Sequence, residues 1–308
     1  MRYAVLFPGQ GSQSVGMGSD VFVARPDLLG SAADEVLGWS LADVCANGPD
    51  GELVRTDRAQ PALFAVSYAL WEAFAAEVSH LPVAAAGHSL GEYTALAASG
   101  AVAYLDGLRL VAARGRAMAL ATESAAGTMA AVMGAALEAV EGAVSSLRAL
   151  GADLWVANVN APGQIVVAGS VAAIEELTAA ARDLGLRRVI RLNVAGAFHT
   201  PLMEPARVQL EEALNGVEFH EGAFPVWANL TAAPAADTAA ALAGQLVGQV
   251  RFAESLAAMS KAGVEAFVHI GPSDVTAGMA KRTIRDAQVI TVSSLDDIGA
   301  AVDGLAVL

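Results

Sequence analysis

A chain of 308 residues with 55% hydrophobic side chains is long enough for one large or two modest domains and for a sizeable core. Its formal charge of −14, from 18 Lys and Arg against 32 Asp and Glu, argues against nucleic acid or an anionic membrane as a general partner. The lone Cys45 excludes an intramolecular disulfide and a cysteine-based zinc cluster.

The N-terminal apolar stretch Tyr3–Phe7 reads as a buried strand. It meets Pro8-Gly9 at once and is too short for a signal peptide. No apolar run free of Gly and charge is long enough for a bilayer, so a soluble cytoplasmic protein is expected. On that expectation the sequon Asn229-Leu230-Thr231 is idle. Pro8-Gly9-Gln10-Gly11-Ser12-Gln13 is a tight loop before a helix-like stretch. Ser14 stands where a dinucleotide fingerprint needs its third Gly, so the loop reads better as backbone N–H groups aimed at an anion or oxyanion.

Gln60-Pro61 is expected to open a helix over Ala62–Val78, with Pro at the helix start. Leu81–Ala86 then reads as a buried strand, and Thr94–Ala98 as a helix. Between them lies Gly87-His88-Ser89-Leu90-Gly91-Glu92-Tyr93. A Ser between two glycines at a strand-to-helix turn is the nucleophile-elbow pattern. The G-x-S-x-G spacing is weak alone; its context carries the reading. Ser89 Oγ would project from the carboxyl edge of a sheet, with the Leu90 N–H placed to face an oxyanion. Leu105–Leu120 is helical and carries Arg109, Arg114 and Arg116.

From Thr128 to Asn193 the rhythm changes to strand, helix, strand, strand, helix, strand. The strands are Thr128–Met133, Leu154–Val159, Gln164–Ala168 and Arg188–Leu192; the helices are Ala135–Leu150 and Val171–Leu184. Asn160-Ala161-Pro162-Gly163 supplies the hairpin turn. This order is the split βαβ, ferredoxin-like unit, read as a domain of residues 127–197 inserted into a larger one of residues 1–126 and 198–308. The larger domain resumes with a helix at Leu202–Leu214, a strand at Pro225–Asn229, a helix at Phe252–Lys261, and strands at Ala266–Ile270 and Gln288–Thr291. Ala232–Ala243 reads as loop leading into helix. Alternating strands and helices imply a mainly parallel sheet covered on both faces.

A Ser nucleophile needs a base. His80 lies at a surface turn, His220 is solvated between acids, His269 ends a buried strand, and the tight turn points His88 away. His199 lies where the insert returns to the larger domain, and clefts between domains are where ligands sit. A third, acidic member is missing. Asp106, Glu123, Glu138, Glu141, Asp153, Glu175, Glu176 and Asp183 lie between Ser89 and His199, and none ends a large-domain strand.

Phe7-Pro8-Gly9-Gln10-Gly11-Ser12-Gln13, Gln60-Pro61-Ala62-Leu63, the Gly87–Tyr93 stretch, Arg114-Gly115, Asn160-Ala161-Pro162-Gly163-Gln164 and Gly196-Ala197-Phe198-His199 together resemble the malonyl-CoA:acyl carrier protein transacylases, in the family's order and over nearly the whole chain. The resemblance implies an α/β-hydrolase-like domain with a ferredoxin-like insert. It implies transfer of malonyl from malonyl-CoA to the phosphopantetheine thiol of an acyl carrier protein, with no cofactor or metal, in fatty-acid or polyketide biosynthesis. By it, Ser89 is the nucleophile and His199 the base; Gln10 and Leu90 give the oxyanion-hole amides. Arg114 holds the malonyl carboxylate, Gln60 and Phe198 shape the pocket, and Gln245 orients His199 through its backbone carbonyl. Arg187, Arg188, Lys281 and Arg282 would meet the acidic carrier. Two departures from the family pattern stand out: Gly248-Gln249 where Asn-Pro is frequent, and Gly271-Pro272-Ser273 where Gly-Pro-Gly is usual. A serine hydrolase acting on acyl thioesters is the competing activity.

Overall fold

The computed structural model describes residues 1–124 and 126–306. Strand β1 (Tyr3–Phe7) is followed by five short helices, α1 (Ser19–Ala24), α2 (Pro26–Leu29), α3 (Ser31–Leu37), α4 (Leu41–Asn47) and α5 (Asp50–Leu53). Then come α6 (Thr56–Glu77), β2 (Ala84–Gly87), α7 (Gly91–Ser99) and α8 (Tyr104–Ser124). The middle of the chain gives β3 (Gly127–Met133), α9 (Leu137–Ala149), β4 (Leu154–Ala161), β5 (Gln164–Ser170), α10 (Val171–Ala180) and β6 (Arg188–Arg191). The remainder holds α11 (Glu204–Leu214), β7 (Val226–Ala228), β8 (Ala233–Pro234), α12 (Thr238–Val247), α13 (Phe252–Lys261), β9 (Ala266–Ile270), α14 (Val275–Thr283), β10 (Gln288–Val292) and α15 (Ile298–Ala306).

The strands form two sheets. The larger has the order β10-β9-β1-β2-β7-β8, parallel except where β8 pairs with β7. β1 is buried on both faces, which is why it reads as an unbroken apolar run. Tyr3, Val5 and Phe7 point into a core shared with α6 and α8, while Ala4 and Leu6 face Phe252, Leu256 and Met279 of α13 and α14. The smaller sheet is antiparallel, in the order β4-β5-β3-β6, which is what a split pair of βαβ units produces. Its outer face buries Val132, Ile165 and Val167 under Val140 and Leu147 of α9 and Leu177 of α10. Its inner face sends Met129, Val166 and Ala168 into the core of the larger sheet. The chain thus has the α/β-hydrolase-like fold with a ferredoxin-like unit that the sequence implies.

Several elements differ from expectation. Pro61 lies inside α6, which begins at Thr56. The ring removes an N–H in the second turn, and the tertiary contacts of a long buried helix override that loss. Helix α10 ends at Ala180, where Gly185 in a left-handed conformation finishes the turn. Short strand β8 occupies part of a stretch read as loop, and α1–α5, α14 and α15 have no individual counterpart in the sequence reading. Cys45 is buried, and burial pushes its thiol up to about 12.

Candidate active site

β2 ends at Gly87, the chain turns through His88-Ser89-Leu90, and α7 begins at Gly91. Ser89 has φ 51, a left-handed conformation unusual outside glycine. The turn leaves no room beside it. A Cβ on Gly87 would lie 1.8 Å from the Gly91 carbonyl carbon, and one on Gly91 would lie 2.3 Å from the Phe7 oxygen. Both backbone groups of Ser89 are held by side chains: its N–H donates to Asn229 Oδ1 at 2.7 Å, and its carbonyl accepts from Gln245 Nε2 at 3.0 Å. Strain held by surrounding bonds is common at reactive positions.

Ser89 Oγ lies 2.8 Å from His199 Nε2, and His199 Nδ1 lies 2.8 Å from the Gln245 carbonyl oxygen. A carbonyl only accepts, so Nδ1 carries the proton and Nε2 is left to accept one from Ser89. His199 also stands at a left-handed φ, 60. Burial, reinforced by the neighbouring Arg114 charge, pushes its imidazole down to about 3. It is therefore a neutral base at physiological pH. No described protein acceptor takes the N–H of Gln10 or of Leu90, so both amides remain open for an oxyanion.

Arg114 of α8 is 1% exposed. Its Nη1 donates to Gln60 Oε1 at 2.7 Å, and its Nη2 to Ser89 Oγ and Gln245 Oε1, both at 3.0 Å. Its Nε is buried without a hydrogen-bond partner. Every oxygen it bonds is neutral, so a buried positive charge faces the nucleophile without a bonded counter-ion. Burial lowers its pKa. The other two arginines of α8 are exposed, Arg109 paired with Asp106. Gly115 explains its place after Arg114: its Cβ would approach the Thr56 carbonyl to 2.9 Å, so a side chain there would wedge α8 from α6.

These groups open into a cavity of about 520 Å³ walled by both sheets. Gln60, Arg114, Phe198 and His199 line it on one side, and Met129, Ala131 and Asn158 on the other. Gln60 Nε2 also meets Met118 Sδ at 3.2 Å. His88 turns toward the small sheet, bonding Asn160 Oδ1 at 2.7 Å. His80 and His220 are exposed, and His269 is fully buried. The structure gathers Ser89, His199, Gln10, Arg114, Gln60 and Phe198 around one cavity, with Gln245 bonded to Arg114 and His199 behind it and Leu90 next to Ser89 at the head of α7. Arg187, Arg188, Lys281 and Arg282 lie outside it, exposed; Arg282 bridges to Gln164 Oε1 at 3.0 Å. The departure at Gly248-Gln249 leaves the Gln245 carbonyl on His199. Where the family has its second glycine, Ser273 adopts a left-handed φ of 67.

Two site residues escaped sequence reasoning. Glu92, in the first turn of α7, is 2% exposed and accepts from the Asn229 N–H at 2.9 Å and from Gln245 Nε2 at 2.7 Å. Its signal was available: an acid alone at the head of an otherwise small and apolar helix needs a reason to be there. Asn229 sat in an idle sequon, yet it ends a strand on the carboxyl edge of a parallel sheet, where ligand groups gather. Among the described residues no cluster of three or more His, Cys, Asp or Glu could hold a metal ion, and no helix is long and apolar enough to cross a membrane.

Residues 5–298 match the acyl transferase domain family, which sets the class. The malonyl CoA-acyl carrier protein transacylase of Bacillus subtilis is 38% identical, the match covering 99% of this chain and 97% of the relative. A structure of a type II PKS acyl-carrier protein in complex with its malonyl-transacylase superposes with a TM-score of 0.93 at 33% identity, covering 99% of this chain and 100% of the other. The acyl carrier protein S-malonyltransferase of Vibrio cholerae gives 0.91 at 34%, covering 97% and 99%. The chain belongs to the malonyl CoA-acyl carrier protein transacylase family.

Proposed function

We propose that the chain moves a malonyl group from malonyl-CoA to the phosphopantetheine thiol of an acyl carrier protein, in fatty-acid or polyketide biosynthesis, through a malonyl ester on Ser89. The observation that carries this reading is Arg114, a buried guanidinium 3.0 Å from the nucleophile and bonded only to neutral oxygens. A free carboxylate on the acyl group would give it the bidentate partner it lacks. A plain esterase has no use for such a charge.

Ser89 Oγ attacks the thioester carbonyl while His199 Nε2 takes its proton. The carbonyl oxygen becomes an oxyanion facing the Gln10 and Leu90 amides. The intermediate collapses by breaking the C–S bond, and the coenzyme A sulfur leaves with the proton from His199. In the second half the carrier thiol attacks the Ser89 ester. His199 takes the thiol proton and returns it to Ser89 Oγ as the C–O bond breaks. Gln245 holds the imidazole in the required tautomer through its carbonyl. Gln60 holds Arg114, and Phe198 limits the space beside the malonyl α-carbon.

The same reading treats residues 127–197 as the inserted lobe and residues 1–126 and 198–308 as the catalytic one. It puts the reaction in the cytoplasm and asks for no cofactor beyond the thioester substrate. Arg187 and Arg188 at the start of β6, and Lys281 and Arg282 at the end of α14, give an acidic chain local basic patches for an acidic carrier.

Intact-protein mass spectrometry after incubation with malonyl-, acetyl- and methylmalonyl-CoA tests the reading. A stoichiometric malonyl adduct is expected, lost in Ser89→Ala and discharged onto a carrier protein rather than to water. An adduct that persists in Ser89→Ala removes the central claim, and release of free malonate without transfer favours the hydrolase.

A further inference from the structure

Gln245 turns its backbone carbonyl and both side-chain polar atoms on the site. Its backbone carbonyl accepts from His199 Nδ1, its Oε1 accepts from Arg114, and its amide nitrogen donates both to the Ser89 carbonyl and to Glu92 Oε2. Asn229 is used as fully: Oδ1 accepts from the Ser89 N–H, Nδ2 donates to the Gly87 carbonyl at 2.7 Å, and the backbone N–H donates to Glu92 Oε2. One carboxylate oxygen therefore receives both residues that clamp the backbone of Ser89. An amide has two ways to face; an anionic acceptor leaves only the one with nitrogen toward it. Turning Gln245 over would aim an oxygen at Glu92 and at the Ser89 carbonyl, and a nitrogen at the Arg114 guanidinium. Each would be a repulsion.

We infer that Glu92 is a positioning residue for acyl transfer: its carboxylate fixes Gln245 and Asn229, and through them the backbone of Ser89, the tautomer of His199 and the aim of Arg114. The inference rests on the reading of Ser89 as nucleophile. It also accounts for the acid absent from His199, because the negative charge sits one residue removed, behind Gln245. That charge offsets Arg114, which otherwise disfavours the imidazolium that forms as Ser89 gives up its proton.

The groups bearing on Glu92 are few. Arg114 of α8 is the charged one, and Tyr93, adjacent on α7, is the titratable one. Asn229, beyond β7, and Gln245 of α12 contribute N–H donors that do not titrate. Burial pushes the Glu92 carboxyl up to about 7, against the pull of those donors and of Arg114. The ionised form is the one that holds both amides, so the acylation rate should climb as pH rises through that region.

Glu92→Gln removes the charge and keeps the shape; Glu92→Ala removes both. The test is single-turnover formation of the malonyl adduct from pH 5.5 to 9, beside Tm and the KM for malonyl-CoA. The Gln variant should acylate about 10- to 100-fold more slowly, with KM within about twofold of wild type and without the limb near neutral pH. A Gln variant that acylates at the wild-type rate overturns the inference. So does a loss that keeps the neutral limb and merely follows a lowered Tm. Should Glu92→Ala fail to fold, the Gln variant still decides. A wild-type protein that forms no malonyl adduct overturns instead the assignment of Ser89, a different result from an adduct indifferent to Glu92.

Discussion

The two walls of the cavity are made differently. On one side the parallel sheet ends in Ala84-Ala85-Ala86-Gly87, side chains so small that the elbow, Phe7 and α7 lie in backbone contact. The polar groups there are buried and bonded to one another: Glu92, Asn229, Gln245, Arg114, His199. On the other side the antiparallel sheet follows plain alternation. Val132 and Ile165 face its own helices, Met129 and Val166 face inward, and Arg188 and Arg191 of β6 are exposed. The first wall is constrained twice, by backbones in contact and by buried polar groups bonded to one another. The second is an alternating sheet that buries its outer face under its own helices and lends the cavity Met129, Ala131, Asn158 and Val166. The reacting groups stand on the first wall, and the second closes the space around them.

The sharpest way to break that contrast is Gly91→Ala. The added methyl would meet the Phe7 oxygen at 2.3 Å, and neither backbone can yield without opening the elbow. A loss of at least about 3 kcal/mol is expected in urea unfolding, together with loss of the Ser89 adduct. A variant of wild-type stability would show the elbow to be far more pliant than its contacts indicate.

Next is Arg114→Ala. Without the guanidinium, malonyl loses its carboxylate partner, while acetyl loses nothing it used. The malonyl-to-acetyl ratio of kcat/KM should fall on the order of 100-fold. Phe198→Ser should chiefly admit methylmalonyl, by about 1–3 kcal/mol, since one methyl against a wall discriminates weakly. Steady-state kinetics with the three CoA esters checks both. An unchanged malonyl-to-acetyl ratio in Arg114→Ala would mean that the carboxylate is held elsewhere.

Stability against acid separates the walls as well. His199 and His269 are buried and His88 half-buried around the larger sheet, each with its imidazole below the usual range because desolvation disfavours the charge. The smaller sheet and its helices contain no histidine. Unfolding lets these rings take up protons, so their contribution is complete above about pH 6.5 and is lost as pH falls toward 3, the value to which His199 is lowered. Glu92 runs the other way. Its raised carboxyl favours the folded state most below its ordinary range, and that advantage is withdrawn as pH rises through about 7. The unfolding free energy from urea titration should fall from pH 6.5 to 4.5 by up to about 1.4 kcal/mol per pH unit for each ring, offset in part by Glu92, and less steeply in His88→Gln. A flat profile over that range would contradict the desolvation of these rings.

The smallest effect belongs to the outer side of the second wall. Gly142 lies exposed in the middle of α9 with nothing near its missing Cβ. Gly142→Ala should raise stability by about 0.5–1 kcal/mol and leave acylation unchanged, as read by urea titration and adduct formation.

The same contrast decides what could be read from the chain beforehand. A short apolar run announces the strand Ala266–Ile270 and helical periodicity the helix Phe252–Lys261, whose bounds match those expected from sequence. Turn chemistry announces the elbow, since only glycine fits at positions 87 and 91 on either side of the His88-Ser89-Leu90 turn. Pro61 misleads because its local preference for a helix start yields to the packing of a buried helix that begins at Thr56. Glu92 and Asn229 can be flagged as unusual in the chain, but their roles cannot be read there for another reason. Their roles depend on partners more than 130 residues away for each, joined by a fold that brings β7 and α12 to the elbow. A search for an acid at the end of a strand does not find one that begins a helix and acts through an amide.

Arg114 has one further consequence. Its Nη2 donates to Ser89 Oγ, the oxygen whose lone pair must attack, while the Ser89 hydroxyl donates to His199 Nε2. The arginine suited to an acyl carboxylate is thus tied to the nucleophile itself, so recognition of the cargo and the aim of the attacking oxygen draw on one guanidinium.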